Sequence, residues 1–254
     1  KAVHVLSEQR RMHADVCKVV SNYQYNGILT TAPEVDGRES KLPSLLTNQA
    51  RAVWYVLDEE GSDLASIRAE RGPGNRSWIR SITPTVLAKL FHDDSTRNSH
   101  GLFISPYRAQ AEMISNWLAA EGITTWQAST VHSQQGTEAD VVVFDTVNAG
   151  SYNWPFDEWK RLINVGLSRA KDAVIVLASR SEMEEPYLSP LTESLAPRVL
   201  RRRAGQVHWE DVDASRRNSF SPNNSQRENN LGGQFAQRHE MKPVLSQEQQ
   251  RLSN

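Results

Sequence analysis

The chain has 254 residues, enough for one sizeable α/β domain with its own core and an appendage. Its formal net charge is -1 and its pI is about 6.7, which excludes a global basic field, so any contact with DNA or RNA must come from a local patch. The single cysteine, Cys17, excludes an internal disulfide framework and fits a reducing, intracellular compartment.

No apolar run approaches the ~18 residues of a membrane span, and no signal peptide is visible. The first residue is Lys1, and residues 1–6 already read as strand, as expected of a fragment that begins inside a larger protein.

In chain order, strands are predicted over 2–6, 52–57, 101–105, 140–147 and 173–179, with a weaker one over 124–127. Val141 to Phe144 and Val174 to Leu177 are apolar without alternation, which suits central strands buried on both faces. Helices are predicted over 12–24, 79–92, from Pro106 to Gly122, and over 157–171. For the third, Ser105 is the expected cap and Pro106 the first helical residue, with Tyr107, Ala111, Ile114 and Leu118 on one face. Residues 30–50 and 58–76 read as insertions or surface loops. Alternating strands and helices predict a doubly wound, mainly parallel α/β sheet. The divisions expected are a domain over 1–182, an extension over 183–212, and a disordered tail over 213–254 that is rich in Ser, Asn, Gln and Arg.

Three polar segments stand at strand ends, where open α/β sheets place ligands. They are Glu8 to His13, Ser129 to Asp140, and Arg161 to Lys171. Gly136 permits close backbone approach, the hydroxyls of Thr130 and Ser133 suit phosphate oxygens, and Glu138 can accept from a ribose. Arg169, read as standing on a rigid helix, can be aimed at a phosphate. Polar loops of this kind are also ordinary turns.

Taken in order, the segments resemble the second motor domain of superfamily 1B helicases, the group containing senataxin and the RNA helicase of nonsense-mediated decay. Gln9-Arg10-Arg11-Met12-His13 resembles the family's Gln-Tyr-Arg-Met-His. Ile104 to Gln110 resembles motif IV, Thr130 to Asp140 motif V, and Asn164 to Lys171 motif VI. The resemblance covers about residues 1–182 and implies a RecA-like, P-loop NTPase-type fold. No Gly-x-x-x-x-Gly-Lys-Ser/Thr stands in the chain, so the fold would lack its own phosphate loop.

The resemblance also implies roles. Arg11 and Arg169 would reach the γ-phosphate of ATP, and Glu138 would hold the ribose. Gln135 and Gly136 would lie against the nucleotide. Thr130, with Pro106 and Tyr107 near the same track, would contact single-stranded DNA or RNA; His132 stands where the family often has Asp. Mg2+ ligands and the phosphate loop would come from an upstream RecA-like domain of the same protein. Arg10 departs from the family's adenine-stacking Tyr. Its guanidinium either stacks on the base or points to solvent. The implied function is ATP-driven helicase action, with the fragment alone inactive. The alternative is a non-catalytic helicase-like module that binds nucleic acid or protein.

Other signals carry less. Asp58-Glu59-Glu60 imitates a Walker B end but reads as a solvated strand end. Ser168 to Lys171 fits Ser-x-x-Lys by coincidence. The histidines and Cys17 lack metal-ligand spacing, and Cys17 reads as a small core residue. Trp54, Trp78, Trp117, Trp126 and Trp159 read as packing residues. The basic cluster Arg198 to Arg203 is either solvated or a further phosphate contact.

Overall fold

The computed structural model describes residues 7–38, 50–58, 67–133, 136–147, 155–203 and 206–211. All lie in one compact unit, residues 1–221; the second unit, 222–254, falls outside the described residues. So do the strand expected over 2–6 and the tail expected over 213–254.

The main strands are β3 (Ala52–Leu57), β6 (Gly101–Ser105), β7 (Trp126–Thr130), β8 (Ala139–Asp145), β9 (Ala170–Ser179), β10 (Ala196–Arg203) and β11 (Gln206–Asp211). They form one sheet in the order β11-β10-β3-β9-β8-β6-β7. Every neighbour pair is parallel except β10 with β11. Two small pairs stand outside it. One joins β1 (Glu8–Gln9) to β2 (Thr30–Thr31); the other joins β4 (Glu70–Arg71) to β5 (Trp78–Ile79).

The principal helices are α1 (Ala14–Gln24), α2 (Thr83–Leu90), α3 (Arg108–Ala120) and α4 (Phe156–Leu167). On one face Trp54, Val56, Val142, Phe144, Val174 and Val176 meet Val16 and Val20 of α1 and Trp159 and Ile163 of α4. On the other, Val53, Tyr55, Val141, Val143 and Ile175 meet Val86 and Leu90 of α2 and Ile114 and Leu118 of α3. The period-2 alternation of strand side chains divides each continuous apolar run between the two layers. This is the doubly wound α/β architecture expected of a RecA-like domain. Gly166 lets α4 approach closely, because a Cβ there would lie 2.6 Å from the Phe144 ring.

Several local expectations are corrected. The helix expected over 79–92 is confined to α2, since Trp78 and Ile79 belong to β5. The helix expected from Pro106 begins at Arg108 after Tyr107. Its first turn takes a hydroxyl from elsewhere: Ala109 N–H donates to Ser77 Oγ at 3.2 Å, whereas Ser105 Oγ accepts from Tyr107 N. Gly122, at φ +65°, does close it. The helix expected to reach Lys171 ends at Leu167, so Arg169 stands in the turn before β9. Asp58 is not solvated; it is 1% exposed and lies 3.5 Å from Arg180. Arg198 to Arg203 lie on β10, hydrogen-bonded beside β3, so the sheet continues past residue 182. Cys17, Trp54, Trp126 and Trp159 are buried, as expected.

Candidate functional site

The first segment and the last residues of the second and third, Glu138 to Asp140 and Arg169 to Lys171, meet at the amino ends of β8 and β9, not at the carboxyl ends where such sheets usually hold ligands. Gln9 shapes the first segment. Its Oε1 accepts from the N–H groups of Arg11 and Met12 at 2.8 and 2.7 Å, and its Nε2 donates to Thr31 Oγ1 and to the Met12 carbonyl, both at 2.7 Å. His13 N–H donates to the Lys171 carbonyl at 2.7 Å, which ties this turn to the start of β9.

Arg11 is thereby directed at the other two segments. Its Nε lies 2.5 Å from Glu138 Oε1, and its Nη1 donates to the Ser168 carbonyl at 3.2 Å. Lys171 Nζ approaches the other oxygen of Glu138 at 3.4 Å. Arg169 is fixed through its main chain, its carbonyl accepting from Ala139 N–H at 3.0 Å. Burial, then the nearby Arg11 charge, hold its guanidinium below its usual pKa, with Glu138 acting in the opposite direction. Among the described residues the buried Arg169 Nε has no hydrogen-bond partner. The Arg169 guanidinium is thus half-buried beside a second cation, Arg11.

Arg10, Arg11, Arg38, Glu138 and Lys171 line an open pocket of about 450 Å³. Four cations and Glu138 line it, and Glu8 and Glu34 pair with Arg10, which leaves a small positive excess. Sequence reasoning assigns no role to Arg38 or Lys171. Lys171 closes the third segment, which is signal enough to find it, but Arg38 lies in a loop without periodicity. Arg10 is exposed and pairs with Glu8 at 3.1 Å and Glu34 at 3.0 Å. Gly136 is exposed with φ +93°, a conformation that favours glycine. Gln135 lies outside the described residues.

The residues expected to touch nucleic acid stand at the opposite end of the sheet. Thr130, the last residue of β7, is in register with Ser105, the last of β6. At ~3.3 Å per residue, that end is roughly 15 Å from the amino ends. Thr130 is half-buried and its hydroxyl lies 3.1 Å from Ser133 Oγ; His132 is exposed. Pro106 and Tyr107, also expected near that track, are both buried, Tyr107 at 6% exposure. They shape the β6–α3 connection from inside and do not present a face.

One constellation has no sequence signal. Arg80, 1% exposed, pairs with Asp145 at 2.8 Å and with Glu182. Asp145 also accepts from Thr83 at 2.7 Å and Gln110 at 2.8 Å, while Glu182 accepts from Thr146 at 3.0 Å. Burial pushes the Asp145 carboxyl up from its ordinary value, against the pull of Arg80. Among the described residues no group of three or more His, Cys, Asp or Glu is placed to hold a metal ion. Nor is any helix among them long and apolar enough to cross a membrane.

An AAA domain family matches residues 1–181, and the chain belongs to that family, the C-terminal region of superfamily 1 helicases. The DNA replication ATP-dependent helicase/nuclease DNA2 of Xenopus tropicalis is 27% identical over 198 residues, 70% of this chain and 19% of that protein. The DNA-binding protein SMUBP-2 of Mesocricetus auratus is 26% identical over 208 residues, 76% of this chain and 20% of that protein. The 3'-5' exoribonuclease HELZ2 of Mus musculus is 25% identical over 193 residues, 68% of this chain and 6% of that protein. The chain thus spans a fifth or less of the length of these relatives.

Proposed function

We propose that this chain is the second motor domain of an ATP-driven helicase acting on single-stranded DNA or RNA. In this reading it contributes Arg11 and Arg169 to ATP hydrolysis in a cleft shared with an upstream RecA-like domain. The observation that carries the reading is the meeting of Arg11, Glu138 and the Ser168–Arg169 turn at the amino ends of two central strands. A site at the amino ends of the strands, rich in cations and without a phosphate loop, suits a nucleotide held mainly by another domain.

Each residue then has a physical task. Arg11 and Arg169 stabilise charge that develops on the γ-phosphate, an effect worth about a thousandfold or more in rate for such arginines. Glu138 keeps Arg11 aimed and is within reach of a ribose hydroxyl once Arg11 turns to phosphate. Gly136 leaves the backbone open to the nucleotide, and Arg10 and Lys171 add positive charge at the pocket rim. Mg2+ would be held by the partner domain and would neutralise phosphate charge there. In the same reading Thr130 and His132, at the other end of the sheet, contact the strand, so cleft closure moves the nucleic-acid contacts with the domain.

The test is turnover by the chain alone and joined to its upstream half. The expected result is no measurable ATP hydrolysis alone and nucleic-acid-stimulated hydrolysis when joined. Stoichiometric, repeated turnover by the isolated chain contradicts the shared cleft.

A further inference from the structure

The β4–β5 hairpin belongs to no motif of the sequence, yet it has its own chemistry. Residues 67–79 contain Arg68, Arg71 and Arg76 against a single acid, Glu70. All three arginines are exposed. Arg71 and Trp78 face each other across the strand pair, and the Arg71 guanidinium lies 3.9 Å from the Trp78 ring centroid. The contact holds the Arg71 guanidinium over the ring, and the exposure of the residue leaves its planar group open to solvent on the far side.

The hairpin is also fixed in place. Ser77 Oγ accepts from Ala109 N–H in the first turn of α3. A Cβ on Gly72 would come within 2.8 Å of Ala109 Cβ, so the hairpin backbone lies directly on that helix. Helix α3 follows β6, and the last residue of β6 is in register with Thr130. The hairpin therefore stands at the same carboxyl edge of the sheet as Thr130 and the exposed Arg108.

We infer that this hairpin is a nucleic-acid-binding element, in which one base of a single strand stacks on the Arg71–Trp78 pair while Arg71 and Arg76 neutralise flanking phosphates. The inference rests on the reading of the chain as a motor domain for single strands. Charge complementarity selects the occupant: a flat guanidinium on an aromatic suits a base, and a local positive excess suits its phosphates. A protein partner chosen by the same surface would have to be acidic and planar at one point, which nothing in the hairpin otherwise requires.

The experiment measures binding of fluorescently labelled single-stranded dT and U 20-mers to the full chain, over a series of salt concentrations. Arg71→Glu and Arg76→Glu are each expected to weaken binding about fivefold or more, and to lower the salt slope by ~0.7 for each phosphate that is no longer neutralised. Arg71→Lys keeps the charge but not the plane. It is expected to keep the salt slope while losing affinity. Trp78→Phe is expected to remove the part of the tryptophan quenching that saturates with oligonucleotide. Lys18→Glu, at an exposed position of α1, controls for net charge and is expected to change little. Thermal melts by circular dichroism establish that each variant is folded.

If Arg71→Glu and Arg76→Glu match Lys18→Glu in affinity and slope, the hairpin inference is overturned while nucleic-acid binding stands. If the unaltered chain binds neither oligonucleotide at low salt, the hairpin inference and the nucleic-acid half of the proposed function fall together.

Discussion

Glu138 holds Arg11 through a 2.5 Å ion pair, and its second carboxylate oxygen faces Lys171 at 3.4 Å. Both oxygens are thus turned to cations of the same surface. The carboxylate expected to meet a ribose stands first as the counter-ion that gives an arginine its direction.

That pairing separates two roles by kinetics. If Glu138 aims Arg11, Glu138→Gln in the joined two-domain protein lowers kcat for ATP about ten- to a hundredfold, with a smaller change in KM. If ribose contact is its only role, KM rises and kcat is kept. Steady-state ATPase kinetics distinguish the two.

His13 makes stability sensitive to acid. Its Nδ1 caps α1 by accepting from Asp15 N–H at 3.2 Å, which requires the neutral ring. Burial, then the Arg51 charge, hold its pKa below the usual 6.5, outweighing Asp15, Asp36 and Asp172. The unfolded chain therefore takes up a proton before the folded chain does. This contribution to stability is fully present above pH 6.5 and is lost as pH falls toward the lower folded value. His13→Asn keeps a capping acceptor and removes the titration. Urea midpoints at pH 5 and pH 7.5 should differ less for the variant than for the parent; an equal difference contradicts the assignment.

The Arg80 cluster predicts a larger loss. Arg80→Met leaves Asp145 and Glu182 buried without their cation, and removal of one partner from a buried pair costs about 3–5 kcal/mol. Equilibrium urea unfolding measures this. A change under ~1 kcal/mol would mean that Thr83, Gln110 and Thr146 suffice for the carboxylates.

How far these features can be read from the sequence follows from their physics. Strands β3, β6, β8 and β9 are legible because burial on both faces demands unbroken apolar runs such as Val141 to Phe144. The meeting of Arg11, Glu138 and Arg169 is legible only through the order of three segments, since no local pattern brings Arg11 beside Ser168. A helix start is misplaced where the cap is remote. Ser77 serves α3 from a hairpin that reads as loop. Strand β10 is hidden because three consecutive arginines resemble a solvated run, although Val199 and Leu200 are buried beside β3. The Arg80 cluster is invisible because buried charges follow no period and their partners lie 65 and 102 positions away.

The most direct measurement is ATP hydrolysis by the joined two-domain protein carrying Arg169→Ala, with single-stranded nucleic-acid affinity measured in parallel. The account predicts a fall in kcat of about a thousandfold with affinity changed less than about twofold. Retained turnover, or a loss of nucleic-acid binding that matches the loss of hydrolysis, would remove Arg169 from the γ-phosphate.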